Sequence, residues 1–348
     1  MYKKIVLNRK TILSMVKTTN ADKIRKLNVR EEIESIMGKG KVMCRVLEVV
    51  ERYANQDCPL LFEGETGVGK GEIVKYLHSI GTRSEKDLVI MDCSAFVETL
   101  IESELFGVKK GAYTDAKEDR QGRIEAANGS TLFIDEINSF PKHLQPKLLR
   151  VIQEKEITRV GDNKPIKVDV RIVAASNEKF QDLLRHKRFR RDLYERFIEI
   201  ITIPTLQERQ EDFSFFINKF IKEKSNELSK KNVRISNEAK KLLKSHVYEG
   251  NVRQLMNVIH KLVTHVKQGE KGSIINVAMV KECLLKEIIT KKEGEFNDDF
   301  TWETALNAAR KKAIERALKE TNGNHEKAIV LLGISRRTYY EWKKNFNA

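Results

Sequence analysis

No stretch of this 348-residue chain approaches the roughly 18 consecutive apolar residues that a membrane-spanning helix requires. The opening segment, residues 1–10, lacks the apolar centre of a secretory signal. Both absences point to a cytosolic protein with no membrane partner. Cysteine is scarce: Cys44, Cys58, Cys93 and Cys283 are the only four, and they have no metal-ligand spacing. Neither a zinc site nor a disulfide framework is expected, and Cys58 and Cys93, beside apolar runs, read as reduced, buried thiols. Internal repeats and low-complexity tracts are missing as well. Acidic residues are outnumbered, 50 against 65 Lys and Arg, which leaves a formal net charge of +15. An acidic polymer fits that balance as a partner, although a Lys-rich solvated surface gives the same total. With 40% hydrophobic residues the chain can build two or three folded domains.

Among the residues that are present, Gly64-Glu65-Thr66-Gly67-Val68-Gly69-Lys70 form a glycine-rich loop just after the apolar run Cys58-Pro59-Leu60-Leu61-Phe62. Glycines let consecutive backbone N–H groups converge on one anion, the helix that follows adds the positive end of its dipole, and Lys70 reaches the terminal phosphates. The pattern predicts ATP binding. Gly71 stands where the general pattern has a Ser or Thr hydroxyl for magnesium, so a Mg2+ ion must lean on other ligands and water.

Short, nearly wholly apolar runs at residues 59–62, 88–92, 131–134 and 170–174 alternate with helical periodicity, which starts with a helix over 42–55. This predicts an α/β fold, a parallel sheet with helices on both faces. Ligands of such sheets gather at the carboxyl ends of the strands, where these runs deliver the P-loop, Asp92, Asp135-Glu136 and Ser176-Asn177. Beyond residue 204 helices take over, at 210–228, 238–247, 251–267 and 277–289, as a separate all-α bundle. The expected organisation is a basic N-terminal arm over 1–29, an α/β core over 30–205, the helical bundle over 206–290, a linker over 291–300 and a small all-α domain over 301–348. The arm carries eight Lys and Arg against the single acid Asp22, either as a binding arm or as a solvated extension.

Asp135 and Glu136 close the apolar strand and set two carboxylates side by side, facing the phosphates. Asp135 is expected to hold Mg2+ directly or through water, and Glu136 to orient and polarise the water that attacks the terminal phosphoryl group. Asn177 is a candidate phosphate and water sensor, although an Asn at a strand end is also a common turn former. Arginines in the segment Phe189-Arg190-Arg191-Asp192-Leu193-Tyr194-Glu195-Arg196-Phe197 could neutralise charge developing on the phosphoryl group, or form surface ion pairs. Arg253, opening a helix of the bundle, could reach the nucleotide or make a first-turn salt bridge.

The tail from residue 301 holds ten Lys and Arg against five Glu. A helix to about Thr321, the turn Asn322-Gly323-Asn324, a short helix over 326–332, the turn residue Gly333 and a last helix capped by Ser335 predict a helix-turn-helix. Arg336, Arg337 and Thr338 fall in the first turn of the last helix, where a recognition helix meets base edges, while Lys343 and Lys344 suit phosphates. Ser335 and Tyr340 complete the candidate DNA-binding set. At least one of Tyr339 and Trp342, three apart, is expected in the core. Double-stranded DNA is the expected partner, and a packing unit with no DNA role is the alternative.

Together these motifs resemble the AAA+ ATPases that activate transcription with sigma-54, the bacterial enhancer-binding proteins, over roughly residues 33–289 and again in a Fis-type tail. That family runs from a P-loop through a surface loop Gly-Ala-Phe-Thr-Gly-Ala, an Asp-Glu strand end, an Asn sensor and paired arginine fingers to a lid arginine. This chain has Gly64 to Lys70, Gly111-Ala112-Tyr113-Thr114-Asp115-Ala116, Asp135-Glu136, Asn177, Arg190 with Arg196, and Arg253 in that order. Glu102-Ser103-Glu104-Leu105-Phe106-Gly107 and Leu148-Leu149-Arg150-Val151-Ile152-Gln153 flank them as in the family. The resemblance implies a homo-oligomeric ring, a hexamer, in which Arg190 and Arg196 act on the neighbour's ATP and Arg253 senses the nucleotide from a helical lid. It further implies that Tyr113 and Thr114 engage the sigma factor of the RNA polymerase holoenzyme. ATP hydrolysis would then remodel a closed promoter complex to an open one from an upstream DNA site on the bacterial nucleoid.

Three residues depart from the family pattern. Asp115 puts a charge where the family has Gly, Tyr113 adds a hydroxyl, and Asp92 stands where the family has an Asn that holds the catalytic glutamate. A like charge facing Glu136 is expected to change its restraint and to raise the pKa of one carboxyl. Only the arm precedes the ATPase, so no fused sensor is expected and control falls to a partner, to expression level or to the arm. Two rivals stay open: a DNA-binding regulator that does not engage sigma-54 and uses ATP to set its oligomeric state, and an ATP-driven ring that remodels nucleic acid itself.

Overall fold

The computed structural model describes residues 28–112, 117–267, 273–294, 314–318, 320–321 and 324–344. Expectations for the arm up to residue 27, for Tyr113, Thr114, Asp115 and Ala116, for residues 295–300, for the turn at 322–323 and for the side chains of Arg337, Lys343 and Lys344 lie outside the described residues. The chain divides into two compact units, Met1–Val280 and Lys281–Ala348.

A helix over residues 28–37 (α1) is the first described element; it buries Ile33 and Met37, and its first two residues overlap the stretch expected as an arm. Helix α2, Lys41–Ala54, follows and buries Met43, Leu47, Val50 and Ala54, one stripe at helical spacing. The strands in chain order are β1 Leu60–Glu63, β2 Val89–Asp92, β3 Thr131–Asp135, the short antiparallel pair β4 Glu156–Ile157 and β5 Ile166–Lys167, then β6 Arg171–Ser176 and β7 Glu199–Thr202. Five of them form one parallel sheet in the order β2-β3-β6-β1-β7. Alternate side chains leave its two faces, as the pleat demands. Leu61, Leu132, Ile134, Ile172 and Ala174 enter one apolar cluster, while Leu60, Phe62, Phe133, Val173 and Ala175 enter the other. Both faces are therefore covered, which is why the central runs carry almost no polar residues.

Helices α3 Lys70–Ser79, α4 Glu98–Phe106, α5 Arg123–Ala126, α6 Gln145–Glu154, α7 Phe180–Arg185 and α8 Arg191–Tyr194 connect the strands. The bundle then follows as α9 Phe213–Glu227, α10 Asn237–Ser245, α11 Asn251–His265 and α12 Val277–Gly294, with a parallel strand pair, β8 Val233–Ile235 and β9 Ser273–Ile275, inserted into it. Helix α12 runs four residues into the stretch expected to be a linker. Lys291, Lys292 and Glu293 are polar, but they are also good helix formers, and polarity alone does not end a helix.

The second unit has helical residues at 314–318 (α13), then α14 His325–Leu332 and α15 Arg336–Lys344. Asn324 caps α14 by accepting from Lys327 N at 3.1 Å, and Ser335 caps α15 by accepting from Thr338 N at 3.0 Å. Between the two helices Gly333 adopts φ 62°, the left-handed conformation that ends a helix. Ile314, Ala317, Ala328, Ile329 and Tyr339 form its core, so Tyr339 is the buried member of the aromatic pair.

Candidate nucleotide site and DNA-facing helix

Residues 66–72, Asp135, Glu136 and Arg253 wall one cavity of about 460 Å3, with Met37, Arg209 and Phe216 among its other walls. The loop bends through Gly67 at φ 80° and Gly69 at φ 102°. A Cβ on Gly67 would sit 2.2 Å from the Gly250 carbonyl oxygen, so the absence of a side chain lets the bundle close on the loop. Lys70 is 8% exposed, and its Nζ donates to the Gly64 carbonyl at 2.6 Å and the Glu65 carbonyl at 3.1 Å. Burial lowers its pKa, against the attraction of Asp135 and Glu136.

Glu136 follows β3 with φ 51° and ψ 46°, a conformation costly for a residue with a side chain, and its backbone N–H donates to Asp135 Oδ1 at 3.0 Å. Asn177 Nδ2 lies 3.5 Å from Glu136 Oε1, which sets the candidate phosphate and water sensor beside the glutamate. Burial raises the pKa of Asp135, and the nearby charges of Asp92 and Glu136 add to the rise, while Lys70 opposes it. Asp92 faces Asp135 in strand register. Its Oδ1 accepts from Ser94 N at 2.9 Å and Ser94 Oγ at 2.7 Å, so Asp92 caps the following turn while Asn177 approaches Glu136. Beside this group the thiol of Cys93 is pushed up to about 12 by burial and then by the three carboxylates, which leaves it inert. Cys58 is half-buried, less enclosed than its apolar neighbours suggested.

The donors fit a magnesium ion held mainly by phosphates and water. Asp135 offers one partly buried carboxylate, a Cβ at Gly71 would meet nothing within 4 Å, and no cluster of three or more acidic, His or Cys ligands exists among the described residues.

Some candidates stand apart from this cavity. Gly64 N donates to Ser176 O at 3.2 Å and Glu65 accepts from Asn251, so both brace the loop. Arg190 forks onto Asp192 at 3.0 and 2.6 Å, and Arg196 is exposed on the same segment. Neither arginine lines the cavity of its own subunit. Gly111 has φ 83°, and Ala112 packs where a side chain on Gly161 would fall. The base of their loop is pinned by the Val108–Arg120 bridge and by Lys110 N donating to Asp119 at 2.9 Å.

One contributor had no assigned role in the sequence. Asn251, 1% exposed and at φ 49°, donates from Nδ2 to Glu65 Oε2 at 2.9 Å and Thr66 O at 3.1 Å, and accepts from Leu206 N at 2.8 Å. It ties α11 to the P-loop. Its place in Glu249-Gly250-Asn251-Val252-Arg253 was visible, but the left-handed backbone that aims it was not.

In the second unit, Arg336 pairs with Glu326 at 2.6 Å, with both side chains largely exposed. Such a pair contributes little and can open for another partner. Tyr340 is 47% exposed, and Tyr339 turns inward, its hydroxyl 2.7 Å from His325 Nδ1.

Residues 36–203 match the family described as Sigma-54 interaction domain, 207–295 the AAA+ ATPase lid domain, and 310–343 the bacterial regulatory protein, Fis family. The formate hydrogenlyase transcriptional activator FhlA of Escherichia coli is 36% identical over 89% of this chain and 44% of its own length. The alginate biosynthesis transcriptional regulatory protein AlgB of Pseudomonas syringae pv. tomato is 36% identical over 92% of this chain and 69% of its own. The chain thus spans less than half of FhlA. NtrX from Brucella abortus in complex with ATP superimposes with a TM-score of 0.66 over 99% of this chain and 77% of that chain, at 22% identity, a likeness of fold.

Proposed function

Because the chain belongs to the sigma-54-dependent transcriptional activators, we propose that it is a DNA-bound ATPase ring, a hexamer, that remodels the closed complex of RNA polymerase and sigma-54 to an open one. The observation that carries the ATPase part is the strained Glu136, held between Asp135 and Asn177 at the wall of the P-loop cavity. In this reading the P-loop amides and Lys70 bind the phosphates. Glu136 accepts a proton from water as that water's oxygen bonds to the terminal phosphorus and the bond to the bridging oxygen breaks, giving ADP and phosphate. Asp135 would hold the magnesium ion, which neutralises phosphate charge. Asn177 keeps Glu136 in place, and Arg253 reports on the nucleotide from the lid. Arg190 and Arg196, away from their own cavity, serve the next subunit. The loop 111–116 delivers Tyr113 and Thr114 to sigma-54, and α15 reads DNA through Ser335, Arg336, Arg337, Thr338 and Tyr340, with Lys343 and Lys344 on the phosphates.

The test is twofold. Glu136→Gln should cut ATP turnover by about 100-fold or more while nucleotide binding persists, and undiminished turnover would remove Glu136 from the mechanism. Sigma-54 should bind the protein with ADP and a planar phosphate mimic, and Thr114→Ala should abolish that binding. Asp115 favours the second reading, an ATP-controlled DNA-binding regulator that does not touch sigma-54. Intact hydrolysis without sigma-54 binding would select it.

A further inference from the structure

The helical lid carries a concentration of positive charge that ATP hydrolysis does not use. Residues 228–247 hold six Lys and Arg against the single acid Glu238. Part of this charge borders a second cavity, of about 450 Å3, lined from α9, β8 and α10. Lys222, Lys230, Arg234 and Lys240 line it together with three asparagines, and no Asp or Glu is among its lining residues.

The local fold sets these cations in place. Strand β8 turns alternate side chains outward, so Arg234 is exposed between the half-buried Val233 and Ile235. Helix α10 buries Ala239 and Leu243, which leaves Lys240 half-buried at the cavity and Lys241 and Lys244 exposed on the same short helix. Lys230 is fixed, its Nζ donating to the carbonyls of Val263, Thr264 and Val266 at 2.8, 2.7 and 2.9 Å at the C-terminal end of α11. The acids of α9 are taken elsewhere, Glu223 by Lys219 at 3.8 Å and Glu227 by Lys224 at 2.6 Å. The side chains of Lys222, Arg234 and Lys240 make no ion pair or hydrogen bond among the described residues. Three unpaired cations around one concavity raise the local potential and draw in anions, and asparagine amides beside them can donate to phosphate oxygens. The charge does not stop at the cavity, since Lys231, Lys241 and Lys244 are exposed next to its lining residues in the chain. That spread suits a polymer of phosphates better than one small anion.

We propose that this face of the lid is a second nucleic-acid contact, one that holds the phosphate backbone of duplex DNA without reading its sequence. It goes beyond the reading of α15, which places base recognition in the other unit. A backbone contact of this kind adds affinity by releasing counterions, so its signature is salt dependence.

Fluorescence anisotropy of a labelled duplex of arbitrary sequence, titrated with the full chain at several salt concentrations, tests the proposal. The lid variant is Lys222→Gln/Arg234→Gln/Lys240→Gln, and the control Lys142→Gln/Lys179→Gln/Lys187→Gln removes the same charge from exposed lysines of the α/β core. The lid variant should bind about 10- to 100-fold more weakly at low salt, and its slope of log affinity against log salt should be shallower by about two to three. The control should follow the wild type. Arg234→Gln alone, at an exposed position that the fold does not need, should already lower the slope by about one. The same losses in an Arg336→Gln background keep the result apart from the reading of α15. Equal weakening in the lid variant and the control would reduce the effect to total charge and overturn the proposal, as would a lid variant that binds the duplex like the wild type. A lid variant that keeps its duplex affinity but no longer binds polyglutamate would assign the face to an acidic protein instead.

Discussion

Gly71 is the position at which a single side chain should improve the site. A Cβ there meets nothing within 4 Å, and the residue lies in the first turn of α3, where Gly costs about 0.5–1 kcal/mol relative to Ala. Gly71→Ser should therefore raise stability slightly and offer a hydroxyl beside the metal position. ATP binding followed against magnesium concentration should reach its midpoint at lower magnesium in the variant, and an unchanged midpoint would place the ion elsewhere. Asp135 gives a prediction with a pH sign. Its pKa is raised in the folded state by burial and by Asp92 and Glu136, so the folded protein holds this proton to higher pH than the unfolded chain does. Its contribution to stability is thus most favourable in acid and declines as pH rises through the raised pKa. Asp135→Asn should melt at higher temperature than wild type at neutral pH, and the gap should close on acidification. A gap that widens in acid would reverse the assignment.

The scale of elements shows which parts of this architecture can be read from residues alone. Runs such as Leu60-Leu61-Phe62 and Thr131-Leu132-Phe133-Ile134 are apolar because they are covered on both faces, so their strands and the polar residues at their ends are visible directly. Strand β7, Glu-Ile-Ile-Thr at the sheet edge, is half-buried and too short to stand out, and β4 and β5 have two residues each. The P-loop, Asp135 and Glu136 are legible because phosphate chemistry fixes their spacing along the chain. Asn251 and Arg209 are not, since a left-handed backbone and the burial of a charged run arise only from tertiary contact. Asn251 is where this matters for the link between α11 and the P-loop. Asn251→Ala removes three hydrogen bonds shorter than 3.2 Å, leaves Leu206 N without its partner and keeps the unfavourable φ. The expected loss is about 1–3 kcal/mol in unfolding free energy, together with weaker ATP binding. Denaturant unfolding measures the first quantity, and a loss confined to stability would make Asn251 a strut only.

At the scale of the whole molecule the decisive question is whether one subunit completes the site of another. Neither Arg190 nor Arg196 lines the cavity of its own chain, and Arg190 is paired with Asp192, so the two residues are either surface groups or fingers for a neighbour. A head-to-tail ring separates these roles, because the residues that activate water and the residues that neutralise charge then come from different copies. Arg196→Ala subunits keep Glu136 but cannot serve their neighbour. Glu136→Gln subunits can serve their neighbour but cannot activate water. Neither variant alone should turn over ATP. Mixed at equal concentration, a random ring places an intact Glu136 opposite an intact Arg196 at about one interface in four, so turnover should return to roughly a quarter of the wild-type rate if interfaces act independently. A surface role alone predicts that Arg196→Ala turns over ATP by itself, and that mixing with Glu136→Gln subunits adds nothing to its rate. Recovery that rises with total protein concentration would tie the activity to assembly, and an Arg196→Ala variant as active as the wild type would return Arg196 to the surface.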